Sequence, residues 1–208
     1  MVGRWNQAIL TPDWLTKNVR SLSNQAAPNP EFQMPLTPLR VRLGFPDFYI
    51  KPEIDQLIIE SRHDTSVAFG KMSQTLKEIC EKLSHTPISA IGHNFTFLLN
   101  EQERLHGLDF LAIENTVKEN LRNINTDVGT IARSSSQFVC GLEMQDKPYT
   151  LNLHIEHTNE NARIVQFNFH YVVGETTERQ SINEIIDNFE RNYAVSTKAL
   201  ETITESRH

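Results

Sequence analysis

The amino-acid sequence predicts an α+β fold, in which antiparallel sheet carries amphipathic helices packed on one face. Segments whose apolar residues alternate with period two come in adjacent groups, and segments with helical periodicity separate these groups. This order favours antiparallel sheet, because a doubly wound parallel sheet alternates single strands with helices. With 208 residues, 38% of them hydrophobic, the chain is long enough to bury a core without a disulfide or a metal.

The first half is expected to hold two helices and several strands. Thr11 followed by Pro12 indicates a helix start, since threonine caps helix N-termini and proline suits the first helical position. Residues 21–36 contain three prolines and predict a loop. In chain order, the expected elements are a short strand within 2–10, a helix over 12–19, strands over 39–45 and 55–62, a helix over 66–84 and a strand over 88–99.

The second half is expected to follow a similar order. A helix over 110–124 precedes three strands within 136–173. A last helix is predicted over 181–202, because Ser181 and Glu184 have the spacing of a capping box at its start.

The two halves therefore share an order of helix, strands and longer helix. No repeat of individual residues accompanies this similarity. We expect a single α+β domain over residues 1–208, and we raise the hypothesis that 1–100 and 101–208 are two related α-β-β-β-α halves.

The register of the strands within 136–173 follows from the parity of their side chains. Their alternating apolar residues must share the inner face, because a shift of one residue would move all of them into water. Short turns at 145–148 and 158–162 connect the strands and set the pairing. Leu153, for example, is expected opposite Phe167. The reverse face then carries three cross-strand rows: Glu143–Thr150–His170, Gly141–Asn152–Asn168 and Val139–His154–Gln166.

This reverse face has two open interpretations. It is either the solvated side of a half-buried sheet or a hydrogen-bonding surface for a ligand or partner. Asn94 is added as a candidate because it follows Gly92, and a glycine in a strand lets another molecule come close. No catalytic residue is assigned, since nothing beside Glu143 and His170 supplies a nucleophile or an electrophile. The candidate surface residues are Asn152, His154, Asn168, His170, Glu143 and Asn94.

Three residues with titratable side chains fall on apolar faces. His93 shares its face with Ile91 and Phe95, so we expect a core histidine with a satisfied ring nitrogen. Cys80 and Cys140 lie on the apolar faces of different elements, where cysteine behaves as a small hydrophobe. Both are expected to be buried, reduced and not paired with each other.

The motifs of several common sites are missing from the sequence. No G-x-G or G-x-S-x-G occurs, and the segment around Gly70 lacks the first glycine of a phosphate-binding loop. His154 and His157 are three positions apart in a predicted strand and so point to opposite faces, which does not suit two ligands of one zinc ion. We therefore expect no cofactor and no metal.

Charge and hydropathy limit the expected partners. The net charge is −6, and the densest basic patch is Arg40 with Arg42, so nucleic acid is not an expected partner. No apolar run approaches the roughly 18 residues that cross a bilayer, so no membrane contact is expected. Residues 1–10 lack the apolar run and cleavage site of a signal peptide, which predicts a cytoplasmic protein.

One segment resembles a known group of proteins. Residues 84–97, SHTPISAIGHNFTF, are similar to a stretch found in uncharacterised bacterial proteins of about this size. The resemblance implies a bacterial cytoplasmic protein. Because the group has no assigned activity, the resemblance transfers no functional residue.

These observations predict a non-catalytic cytoplasmic protein that acts through protein–protein contacts, as a subunit, an adaptor or an immunity-type inhibitor. Its expected partner is another protein or a second copy of itself. One alternative is a small-ligand-binding protein that uses the polar sheet face or a cleft between the halves. The other is an enzyme whose site is not readable from sequence, so the question of catalysis stays open. A pocket with converging polar groups would favour the alternatives, and a flat exposed patch would favour protein contact.

Overall fold

The computed structural model describes residues 1–25, 28–33, 40–99, 135–143, 149–158, 163–174 and 177–204. Within these ranges the strands are β1 (Val2–Gly3), β2 (Asn29–Gln33), β3 (Arg40–Gly44), β4 (Phe48–Pro52), β5 (Leu57–Ser61), β6 (Ile88–Leu99), β7 (Ser135–Glu143), β8 (Thr150–Thr158) and β9 (Arg163–Val172). The α-helices are α1 (Pro12–Asn18), α2 (Ser66–Lys82), α3 (Arg179–Asp187) and α4 (Phe189–Thr204).

The predicted α+β class is confirmed, and its sheets are antiparallel. One sheet has the strand order β1-β6-β9-β8-β7, and the other has the order β2-β3-β4-β5. The chain divides into two compact units. The first unit comprises Met1–Gly92 and Tyr171–Arg191, and the second comprises His93–His170 and Asn192–His208.

Helix α2 illustrates how the first unit follows from its sequence. The Oγ1 of Thr65 accepts a hydrogen bond from the backbone N–H of Ala68 at 3.3 Å, which caps the helix where the sequence predicted its start. Its apolar stripe, including Ile79 and Cys80, is buried. Burial raises the pKa of the Cys80 thiol to about 11, and this cysteine is unpaired, as expected. The side chain of Cys140 lies outside the described residues.

The loop predicted over 21–36 is partly wrong, because strand β2 lies within it. β2 pairs antiparallel with β3, and Pro30 stands opposite Leu43. A proline is tolerated here because β2 is the outermost strand of its sheet, where the missing N–H can face away from the ladder.

Strand β4 was likewise not predicted. The backbone N–H of Phe45 donates to the carbonyl of Phe48 at 2.9 Å and closes a tight turn around Pro46. The chain therefore re-enters the sheet immediately after the proline, between the strands predicted over 39–45 and 55–62.

The predicted capping box at Ser181 and Glu184 is also wrong. Helix α3 already begins at Arg179. The Glu184 carboxylate accepts a hydrogen bond from Nε2 of Gln180 at 3.0 Å, so it is engaged along the helix rather than at its start. Asn188 is the C-cap of α3, and α4 follows it directly, so the single last helix expected from the sequence is two helices.

The hypothesis of two related α-β-β-β-α halves is not confirmed. The helix expected over 110–124 lies outside the described residues. Of the helices in the described ranges, none combines the length and the apolar character that crossing a membrane requires.

The core of the second unit lies between the inner face of its sheet and helix α4. The ring of Tyr193 on α4 lies 5.6 Å from that of Phe95 and 6.2 Å from that of Phe97, both on β6. Phe97 in turn packs edge to face with Phe167 of β9 at 5.9 Å. Since α4 covers this face, side chains of the opposite parity on β6, β8 and β9 project from the other side of the sheet.

Candidate functional site

The pairing of β7, β8 and β9 confirms the predicted register. Leu153 stands opposite Phe167, as expected from parity and turn length. The three polar rows are also present as predicted: Glu143–Thr150–His170, Gly141–Asn152–Asn168 and Val139–His154–Gln166. The candidate residues of these strands therefore occupy one face of the sheet.

Three asparagines form a continuous row across three strands. The Nδ2 of Asn152 on β8 donates to Oδ1 of Asn168 on β9 at 3.0 Å. The Nδ2 of Asn168 donates in turn to Oδ1 of Asn94 on β6. We call these residues the asparagine row. It unites three of the six candidate residues, and each bond is of the kind that contributes about 1 kcal/mol to stability.

Gly141 stands at the β7 end of the asparagine row and is exposed. A Cβ atom at this position would lie 3.3 Å from Oδ1 of Asn152, which is a tight contact. The glycine therefore leaves the Asn152 amide oxygen without a covering side chain on this side.

The two candidate histidines lie in the rows on either side of the asparagine row. The Nδ1 of His154 lies 3.1 Å from Oε1 of Gln166. Because an amide oxygen only accepts, Nδ1 of this ring donates to Gln166. Nε2 of His154 is buried and has no hydrogen-bond partner among the described residues. His170 is half-buried opposite Thr150.

Glu143 also stands opposite Thr150, on β7. Only its backbone belongs to the described part of the chain, so the placement of its carboxylate lies outside the described residues.

Strand β6 adds exposed residues to the same face. Asn94, Thr96 and Leu98 alternate with the inner residues of β6 and are all exposed, Leu98 by 71%. Leu98 is the one large apolar side chain among these three residues. We call the combined surface the outer face; it consists of Asn94, Thr96, Leu98, Thr150, Asn152, His154, Gln166, Asn168 and His170.

The neighbouring His93 is a core residue, as predicted. It is 4% exposed, and its Nδ1 lies 2.9 Å from Nδ2 of Asn192 on α4. Burial lowers the pKa of His93 to about 4, so its ring is neutral at physiological pH. The partner Asn192 was not predicted from the sequence. The sequence does place the polar residues Asn192 and Ser196 four positions apart, which puts them on one face of α4. In the structure both are buried.

The outer face offers hydrogen-bonding chemistry. Its amides, hydroxyls and imidazoles donate and accept hydrogen bonds, and by its composition it holds neither lysine nor arginine. In the described ranges, no group of three or more His, Cys, Asp or Glu side chains is placed to hold a metal ion.

Comparison of the chain with known protein families, with curated proteins and with solved structures finds no match.

Proposed function

We propose that this protein acts through non-catalytic contact with another protein and that the outer face is its contact surface. The observation that carries the proposal is the asparagine row. Each amide has two N–H donors and a carbonyl acceptor, and the row consumes two donors in its internal bonds. The remaining donors and acceptors are held in fixed positions across three strands, ready to bind a partner's polar groups.

The bonds within the row also lower the cost of binding. Free asparagine side chains would lose rotamer freedom when a partner fixes them, at a cost of about 0.5–1.5 kcal/mol for each immobilised side chain. Here, Asn168 is already held from both sides by Asn152 and Asn94. A preorganised surface of this kind favours recognition of a partner with matching geometry.

The chemistry of the outer face favours a protein as the occupant. A protein surface supplies backbone and side-chain amides that match the row, and an apolar side chain that matches the exposed Leu98. From Asn94 to Leu98 the face extends about 13 Å along the strands, and from β6 to β8 it extends about 10 Å across them. This footprint accommodates one helix or one pair of strands from the partner.

The lack of positive charge on the outer face and the net charge of −6 argue against nucleic acid as the partner.

The proposal also includes the bacterial source and the cytoplasmic location that the sequence suggested. It includes the role of subunit, adaptor or immunity-type inhibitor as well.

Site-specific photo-cross-linking in the organism that encodes the protein tests the proposal. A benzophenone amino acid replaces Leu98 in one variant and Val67 in a matched control, since these apolar residues are 71% and 67% exposed. Val67 lies on α2 in the first unit. We expect one dominant protein adduct at position 98, either another protein or a second copy of this chain, and none at position 67. The same adducts at both positions, or none at either, would contradict the proposal.

A further inference from the structure

A cavity of about 630 Å³ opens beside strand β1 in the first unit. Its size lies within the range of about 300–1,000 Å³ that is typical of small-molecule sites. Its lining is mainly apolar and includes Val2, Trp5, Ile54 and Val173. Ile54 is 75% exposed, which places it at the rim. The cavity is therefore large enough, and apolar enough, for a compound of one or two rings.

One lining residue carries a polar group without a partner. Trp5 is 3% exposed, and its indole Nε1 is buried with no hydrogen-bond partner among the described residues. A tryptophan N–H can only donate, and a buried donor that makes no bond is destabilising.

Those backbone bonds fix the residues around the indole. The N–H of Gly3 donates to the carbonyl of Asp55 at 2.9 Å, and the N–H of Trp5 donates to the carbonyl of Ile54 at 3.0 Å. Between them, the N–H of Arg4 donates to the carbonyl of Pro87 at 3.2 Å. These bonds hold the segment on both sides, while the indole N–H of Trp5 makes no hydrogen bond among the described residues.

Gly3 keeps a side chain away from the indole nitrogen. A Cβ at this position would lie 3.3 Å from Nε1 of Trp5 and 2.5 Å from the carbonyl oxygen of Pro87. Any other residue would thus place an atom against the indole nitrogen as well as clash with the backbone. Glycine leaves that side of the N–H without a covering side chain.

The charges at the cavity narrow the ligand class. Arg4 and Asp55 both line it, so opposite charges stand at the same site and favour neither an anion nor a cation. We propose that the cavity binds a small, neutral ring compound with a hydrogen-bond acceptor, a carbonyl oxygen or a ring nitrogen, and that the indole of Trp5 donates to it. Because Nε1 is buried, the bond forms together with a small rotation of the indole or of a rim side chain.

NMR titration of the ¹⁵N-labelled full chain with a matched pair of probes tests this inference. Quinoline carries a ring-nitrogen acceptor, and naphthalene has nearly the same shape without one. The chain has two tryptophans, so the indole N–H of Trp14 serves as an internal control, and Trp14→Phe assigns the two signals. We expect quinoline to shift the Trp5 indole proton downfield and saturably, and to bind about five-fold or more tightly than naphthalene.

A second variant keeps the test independent of any change to the buried tryptophan. Ile54→Ser alters an exposed rim side chain and should leave the fold intact, while it weakens the binding of both probes about three-fold or more through lost apolar contact. A Trp5 signal that does not move, or that moves linearly together with the Trp14 signal, would overturn the proposal. Equal affinity for quinoline and naphthalene would overturn the role of the indole N–H.

Discussion

The side-chain amide of Asn192 on α4 donates a hydrogen bond to Nδ1 of His93 on β6, across 2.9 Å in the core of the second unit. The two residues are 3% and 4% exposed. Because the amide nitrogen donates, Nδ1 accepts and the histidine carries its proton on Nε2. Ser196, one helical turn further, donates its hydroxyl to the carbonyl of Asn192 at 2.9 Å. The pair thus ties the helix to the sheet that it covers.

Removal of this bond should destabilise the protein. Asn192→Ala leaves a buried ring nitrogen without this donor, and the loss of such a partner costs about 1–3 kcal/mol. Urea denaturation measures the free energy of unfolding directly. Glu201→Ala, at an exposed position of the same helix, is the matched control and should change this energy by less than about 0.5 kcal/mol. A similarly small effect of Asn192→Ala would show that the pair does not stabilise the core.

The lowered pKa of His93 predicts an acid-sensitive stability. Its pKa is about 4 in the folded protein and 6.5 in the unfolded chain. Between these values the unfolded state binds the additional proton. The contribution of His93 to stability is therefore complete above pH 6.5 and is lost as the pH falls toward 4. The free energy of unfolding should decrease there by up to about 1.4 kcal/mol per pH unit from this residue.

Two variants separate the contribution of His93 from that of the other titratable groups. His93→Asn should be less stable near neutral pH, but its unfolding free energy should fall less steeply with acid. His63→Gln changes an exposed histidine and should keep the wild-type slope. Parallel curves for the wild type and His93→Asn, or a His93 ring that titrates near pH 6.5 in NMR spectra, would rule out the proposed burial effect.

Two glycines should respond in opposite directions to the same substitution. Gly3→Ala places a Cβ 2.5 Å from the Pro87 carbonyl oxygen, so the backbone must shift, and we expect a loss of about 1–3 kcal/mol. Gly70→Ala lies on the exposed side of α2, with no atom within 4 Å of the new Cβ. Higher helix propensity should raise its stability by about 1 kcal/mol. Thermal unfolding compares the two, and a loss for Gly70→Ala or no loss for Gly3→Ala would contradict the packing described.

The outer face was predictable because its determinants are local. Alternation of apolar residues sets which side chains share a face, and short turns leave little freedom in the pairing. The rows that join Asn152 to Asn168 and His154 to Gln166 follow from these two facts. The addition of Asn94 to the row is different, since 74 positions separate it from Asn168 and no local pattern links them.

The elements that the sequence did not predict depend on distant partners. Pro30 indicated a loop, yet β2 is a strand because β3 provides its hydrogen bonds along one edge. His93 and Asn192 are 99 positions apart, so parity placed the histidine in the core without naming what satisfies it. The cavity beside Trp5 likewise arises where β1, the segment around Ile54 and the start of β6 meet.

The affinity for the partner captured at position 98 tests the central claim about the outer face most directly. Asn94→Asp retains an oxygen that accepts from Asn168, but it replaces the outward amide donor by a carboxylate. Asn6→Asp makes the same change at an exposed residue of the first unit, whose Oδ1 accepts from the backbone N–H of Ala8 at 3.0 Å. We expect Asn94→Asp to weaken binding about ten-fold or more with little change in Tm, and Asn6→Asp to bind like the wild type. Unchanged affinity in Asn94→Asp, or an equal loss in both variants, would contradict the assignment of the outer face as the contact surface.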